Sequence, residues 1–302
     1  MTISRIESVV YGVEDVASGI RYFEDWGLEC LERGEHGADF VTPAGQSVLL
    51  RRAKDASLPA AVETGSTVRE VIWGVNSGGA LETISADLAR DRDVRSGADG
   101  TLHTRDESGF AIGFCGMAPS RKSTSGKRAA AHARMNHPFD PERRARPARI
   151  GHVVYTVRQK DFEKASAFYI ERLKFRLSDR AVGFGDFMRC PGSNDHHSLF
   201  FHVRADRPAF DHVAFEVRDI DEIILGGKFM KSRGWTAHIP VGRHILGSNL
   251  FWYFINPCGG RTEYFADMDV MDDGWKPRIW EQHPGFAMWM LEKEDAPDLK
   301  FG

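Results

Sequence analysis

The sequence predicts an α+β protein of two domains, each built of paired βαβββ modules whose strands form a curved sheet around a cup. Three observations predict it. The chain has 302 residues, and at roughly 100–200 residues per domain that length suits two. Its opening is repeated near the middle. A basic stretch without hydrophobic periodicity separates the two copies.

The repeat comes first. Arg5-Ile6-Glu7-Ser8-Val9-Val10-Tyr11-Gly12-Val13 returns as Arg149-Ile150-Gly151-His152-Val153-Val154-Tyr155-Thr156-Val157, with six of nine positions identical at an offset of 144. Both runs are β-branched and aromatic, which suits a strand. A helix follows each. Phe162, Ala165, Phe168, Tyr169 and Leu173 recur at three- and four-residue steps, and Val16, Ile20, Phe23 and Leu28 match them in the first half. Short strands with Gly, Asp and Asn turns come next. A second strand-then-helix unit begins at Glu70-Val71-Ile72-Trp73-Gly74-Val75 and at His212-Val213-Ala214-Phe215-Glu216-Val217. Each half closes with a Gly turn and a strand, near Ser108-Gly109 and Cys258-Gly259. Helices on one face of a curled sheet leave a cup on the other, a natural ligand pocket.

The separating stretch is rich in Pro, Ala and Ser, and residues 119–149 hold nine Lys/Arg against two Asp/Glu. Clustered cations neutralise phosphate, but only Phe139 interleaves them, so no stacking platform for bases accompanies the charge. It reads as a linker. The expected division is 1–118, a basic linker at 119–148, and 149–302.

Composition narrows the class further. The chain is 42% hydrophobic and 27% charged, with a net charge of −3. That excludes disordered, collagenous and disulfide-scaffold proteins. No apolar run reaches the roughly 18 residues of a membrane span, and the first residues lack the basic start and apolar core of a signal peptide. Cys30, Cys115, Cys190 and Cys258 stand far apart. The expectation is a reduced, cytoplasmic protein with neither membrane nor nucleic-acid partner.

The halves are not chemically equal. Alignment places Ser8 against His152, Glu70 against His212, and Gly113 against Glu263. Two histidines and one carboxylate on strands of one cup make a non-haem iron(II) ligand set, and manganese(II) accepts the same set. Neutral imidazoles hold the ion without excess charge, and one carboxylate part-balances it. A lone strand histidine is more often a satisfied core residue. Three such residues, each missing from the sister copy, favour the metal. His196, His197, His244 and Tyr253 add polar aromatics to the same half. His196 and His197 would point to opposite faces of a strand, so at most one can face the cup.

At these residues the sequence resembles a type I extradiol catechol dioxygenase of the vicinal oxygen chelate superfamily. Gly242-Arg243-His244 and Tyr253-Phe254-Ile255-Asn256-Pro257-Cys258-Gly259-Gly260-Arg261-Thr262-Glu263 follow the extradiol signature, departing from it at Trp252. Asp195-His196-His197-Ser198-Leu199 and Phe210-Asp211-His212-Val213-Ala214-Phe215 resemble two further motifs. The resemblance is specific over 149–267 and architectural over 1–118. It implies His152, His212 and Glu263 as metal ligands and His197 as the acid/base residue beside dioxygen, with His196 its outward-facing neighbour. Tyr253 would hydrogen-bond a substrate oxygen, and His244 would line the pocket. Several family members carry an acidic residue shortly after the histidine matching His244, where Gly247 and Ser248 stand here. The implied reaction is O₂ insertion into an aromatic diol, with ring cleavage beside the hydroxyls. A homo-oligomer is also implied, because the family commonly assembles.

The cup walls are expected to draw on Phe184, Phe187, Met188 and Arg189. The tail residues Trp275, Trp280, Phe286 and Trp289 are expected mainly to pack the tail on the domain. Arg189 and Lys276 are candidates for a substrate carboxylate. Rival readings are a glyoxalase-type isomerase, a thiol transferase, or a non-enzymatic resistance protein that binds a small molecule. A ligand set within one module, with His197, His244 and Tyr253 beside it, favours the dioxygenase.

Overall fold

Long runs of β-branched and aromatic residues favour strands buried on both faces. In the computed structural model, which describes residues 2–119, 136, 138–140, 143–204 and 207–291, the two repeated openings are central strands of separate sheets. The first half begins with β1 (Ile3–Val13), α1 (Val16–Trp26), β2 (Glu29–Gly34), β3 (Gly37–Val41) and β4 (Ser47–Arg52). Its second module is β5 (Thr67–Val75), α2 (Gly78–Leu88), β6 (Arg95–Ser96), β7 (Leu102–Arg105) and β8 (Ala111–Gly116). The second half begins with β9 (Arg149–Arg158), then α3 (Phe162–Ala167), which a π-turn extends through Arg172. β10 (Arg176–Ala181), β11 (Gly185–Arg189) and β12 (Leu199–Arg204) complete that module. The last module is β13 (Ala209–Glu216), α4 (Ile220–Ser232), β14 (Ala237–His244), β15 (Leu250–Ile255) and β16 (Arg261–Ala266). β17 (Arg278–Trp280) and β18 (Ala287–Met290) follow it.

The first sheet has the order β2-β3-β4-β1-β5-β8-β7-β6. The second repeats it as β10-β11-β12-β9-β13-β16-β15-β14, with β17 and β18 added at the two edges. The paired-module fold is thus present in both halves, and the repeat holds residue by residue. Val10 sits opposite Glu70 as Val154 sits opposite His212.

Local chemistry sets the helix ends. Asp15 caps α1 by accepting from the Ser18 N–H at 2.9 Å, and Asp219 caps α4 by accepting from the Glu222 N–H. α1 stops at Gly27, whose φ of 100° suits glycine, and a Cβ there would meet the Ala145 carbonyl oxygen at 2.6 Å.

The helices lie between the two sheets and exchange partners. Phe23 of α1 packs on Phe40 of its own sheet, whereas Trp26 meets Phe215 and Phe254 and stacks on Tyr264 of the other. In return, Tyr169 of the π-turn donates to Asp106 of the first half at 3.1 Å, and Phe175 rests on Trp73. Buried Gln46 ties the two central strands together. Its amide donates to the Ile6 and Ile150 carbonyls and accepts the Ile150 N–H. One apolar cluster therefore runs through both halves. The opposite faces of the sheets are free to form cups.

Most of the expected basic linker (120–135, 137, 141 and 142) lies outside the described residues. Its described end is docked rather than solvated. Arg143 pairs with Glu222, Arg144 lies over the Phe229 ring at 4.0 Å, and Ala145 is buried. All four cysteines are free thiols. Among the described residues no helix is long and apolar enough to cross a membrane.

The interdomain contact at Asp106 carries a pH signature. Burial pushes its carboxyl up to about 7, despite hydrogen bonds from the Ser108 and Phe110 amides and the Tyr169 hydroxyl. An unfolded aspartate titrates near pH ~3.9. A pKa raised by folding favours the folded state fully below that value, and the benefit is lost as pH rises towards 7. In urea titrations from pH 4 to 8, Asp106→Asn should therefore gain stability relative to wild type up to about pH 7 and hold a constant difference above it. Parallel curves across that window would show that Asp106 ionises normally.

Candidate metal centre

The sheet register builds the site. Across β9, β13, β16 and β15, His152 stands opposite Ala214, Ala214 opposite Glu263, and Glu263 opposite Tyr253. Neighbouring strands lie about 4.8 Å apart, so these residues form a row on one face. Side chains alternate along a strand, so His212 joins that face two residues before Ala214. Ala214 ends at its Cβ, and the three larger side chains close over it.

Nε2 of His152 lies 3.0 Å from Glu263 Oε2, and Nε2 of His212 lies 3.2 Å from the same oxygen. One ligand atom from each residue lies within 4.8 Å of the others, and all three residues are buried. Asn249 donates to the other Glu263 oxygen at 3.0 Å. Nδ1–H of His212 donates to Asp211 at 2.6 Å, and Arg261 also holds that carboxylate. The proton of His212 is thereby fixed on Nδ1. Its Nε2 is left as a buried lone pair without a hydrogen bond. Burial alone would raise the Glu263 carboxyl, but His152 and His212 hold it well below the usual carboxylate range. Two imidazole nitrogens and one carboxylate oxygen converging out of water fit a divalent cation.

The first half shows what the arrangement requires. Its equivalent row is Ser8, Ile72, Gly113 and His103, with Glu70 in the place of His212. Ile72 fills the space that Ala214 leaves open, and Glu70 accepts from His103 Nδ1 at 2.8 Å. A Cβ on Gly113 would stand 3.1 Å from Ile72. Among the described residues, His152, His212 and Glu263 are the group that can hold a metal. The exchange of alanine for isoleucine at 214 and 72 was a visible signal that the alignment of ligands passed over.

A cavity of about 380 Å³ opens above the triad. Val154, Phe187, Phe200, Leu246, Phe184 and Phe286 give it apolar walls, and His197, His244 and Tyr253 line it too. The Phe286 carbonyl accepts from His244 Nδ1 at 3.0 Å, so Nε2 accepts the Tyr253 hydroxyl proton at 2.9 Å. Burial pushes His244 down to about 4, leaving it neutral near pH 7. The His197 ring lies 4.2 Å from that of His152. Burial, then the surrounding histidines, hold it well below its ordinary value.

Several expectations change. His196 is not outward-facing: it is fully buried behind His197, which alone of the two lines the cavity. The chain bends between Asp195 and β12 instead of running extended, so successive side chains do not alternate there. Arg189 does not reach the cup. It is buried, and its guanidinium is held by the carbonyls of Ser193, Met271 and Asp272. Met188 faces the main core, and exposed Lys276 is not a cavity residue. In the tail, Trp275 and Trp280 pack by donating to Ser178 and Asp179, Phe286 lines the cavity, and Trp289 is exposed.

A ligand that binds only the folded state stabilises it by about 2.7 kcal/mol at a hundredfold excess over Kd. For folding units of this size that corresponds to roughly 5–10 °C. Chelator-treated protein should gain a melting shift of that order on anaerobic addition of Fe(II) or Mn(II), and His212→Ala should gain none. A wild-type melting curve indifferent to both ions would remove the metal centre.

Residues 149–264 match the family model of the glyoxalase/bleomycin resistance protein/dioxygenase superfamily. Metapyrocatechase 2 of Cupriavidus necator is 36% identical over 131 residues, which is 43% of this chain and 40% of that protein. The aligned segment thus spans well under half the length of that relative. The Mn(II)-bound glyoxalase of Novosphingobium aromaticivorans superposes with a TM-score of 0.73 at 22% identity, covering 94% of this chain and 89% of that one. The 2,3-dioxygenase LapB of Pseudomonas sp. KL28 superposes with 0.74 at 17% identity, over 93% and 98%. At such identities these two likenesses speak for the fold. The metal triad, with His197, His244 and Tyr253, lies inside the segment that matches the superfamily of glyoxalases, bleomycin resistance proteins and dioxygenases.

Proposed function

We propose that this protein is an extradiol ring-cleavage dioxygenase, which inserts O₂ into a catechol-type diol beside its hydroxyls at a mononuclear iron(II) site. One observation carries the reading. A buried His-His-Glu triad forms the floor of an apolar slot whose other polar groups, His197, His244 and Tyr253, face the same space. Bound at the triad, iron(II) would hold both diol oxygens, leave room for dioxygen and pass electrons from ring to oxygen.

The chain's own residues supply the remainder. Phe184, Phe187, Phe200 and Phe286 exclude water and present flat apolar surface to an aromatic ring. Phe187 and Phe200 stack 4.0 Å apart, which makes one wall of the slot rigid. Neutral His197 beside His152 can take a proton from a diol hydroxyl and return it on ring opening. Tyr253 gives its own proton to His244, so its oxygen offers lone pairs to a substrate hydroxyl. The likeness of the second half to Metapyrocatechase 2 adds support.

Iron-loaded enzyme should consume O₂ and develop yellow ring-fission colour with substituted catechols, including biphenyl-type diols. His197→Ala should keep iron and diol binding yet lose roughly 10²–10⁴-fold in turnover. Iron-loaded protein that consumes no O₂ with any diol would overturn the reading, and unchanged turnover in the variant would remove His197 from it.

A further inference from the structure

We infer that Asp179, acting through His196, is a positioning residue that decides which nitrogen of His197 carries its proton and that receives the charge when His197 works. The catalytic half of this inference rests on the ring-cleavage reading above, and the tautomer half stands without it.

Asp179 is fully buried on β10, and the cavity is lined by other residues. Four N–H donors meet its carboxylate. Oδ1 accepts from Arg278 Nε at 2.7 Å and from Trp280 Nε1 at 2.9 Å, and Oδ2 accepts from Arg278 Nη2 at 2.6 Å and from His196 Nε2 at 2.7 Å. These donors over-ride the effect of burial and keep Asp179 ionised below the usual range. An ionised carboxylate only accepts. His196 therefore carries a proton on Nε2.

Nδ1 of His196 and Nδ1 of His197 are 3.0 Å apart. A hydrogen bond between two imidazole nitrogens holds one proton. With Nε2 of His196 committed to Asp179, its Nδ1 is a lone pair, and His197 Nδ1 is the donor. Nε2 of His197 is then bare, on the side chain of the two that lines the cavity. The resting polarity of the relay is fixed by its two ends: a carboxylate held by an indole and a guanidinium at one, a bare acceptor at the other.

The proton balance follows. An O–H bond of the diol breaks and an N–H bond forms at His197 Nε2. The Nδ1–H bond of His197 breaks and one forms at His196 Nδ1. The diol becomes an anion, and the positive charge lies on His196 beside Asp179. His197 exchanges one proton for another and stays neutral next to the metal ligand His152. The reverse transfer returns the proton when the ring opens. The groups facing His196 are Asp179 from β10, Phe187 from β11, its neighbour His197 and the Gly247 turn, and Arg278 and Trp280 from β17 stand behind Asp179.

Asp179→Asn tests this. Arg278 and Trp280 both present N–H groups to the Oδ1 position, so they hold the amide oxygen there and turn the NH₂ towards His196. His196 must then accept at Nε2, carry its proton on Nδ1, and force the proton of His197 onto Nε2. ¹⁵N-histidine NMR of the metal-free proteins should show His197 protonated at Nδ1 in wild type and at Nε2 in the variant. With iron-loaded protein, kcat for diol cleavage should fall about 100-fold or more, with KM and iron content within about twofold. His196→Phe, which deletes the link while filling its space, should mix the two His197 tautomers and lower kcat in the same way. Wild-type His197 protonated at Nε2, or variants that keep both its tautomer and kcat, would overturn the inference. Should no form cleave a diol, the proposed activity fails, and the NMR result still decides the tautomer on its own.

Discussion

The constraint on which the second cup depends is the burial of one negative charge. Glu263 is fully withdrawn from water. An ion so placed costs several kcal/mol after relaxation unless its surroundings compensate. The compensation comes from two imidazoles and the Asn249 amide, each from a different segment of chain. The register of β9, β13 and β16, the small side chain of Ala214 and the orientation of His212 by Asp211 all serve that placement. A divalent cation would complete it, because it would pair with the carboxylate and take up the His212 Nε2 lone pair, which otherwise has no hydrogen bond.

That charge sits safely because the other face of the sheet is committed elsewhere. Helices that pack on the opposite half's sheet join the two halves into one core, so the central strands serve the core with one face and the cup with the other. Alternation along β9 shows the division: Val153 and Tyr155 enter the core, and His152 and Val154 enter the cup. The half without ligands thus contributes by covering the back of the half that has them.

Much of this was legible in the sequence, because duplication doubles every signal. The repeated opening located both central strands, and comparing copies isolated His152, His212 and Glu263 without any structure. What escaped depended on chain segments meeting across long separations or on local bends. His196 looked outward only if its segment were extended, and a bend places it inward. Asp179 carried no signal of its own, because its partners Arg278 and Trp280 lie about a hundred residues away on a strand added in parallel beside β10. Arg189 resembled a substrate-binding cation in sequence, yet three backbone carbonyls already hold it. A side chain's type shows what it can bond, and only the fold shows what has already claimed it.

Ile72 gives the duplication a direction. Placing His and Glu in the first half would not create a metal site, because an aliphatic side chain stands where the ion would lie, and Glu70 is held by His103. The missing ligands and the filled hollow reinforce each other: correcting either alone leaves the first half without a site. Engineering a second centre into this protein would begin by emptying that hollow, directly opposite positions 8 and 113.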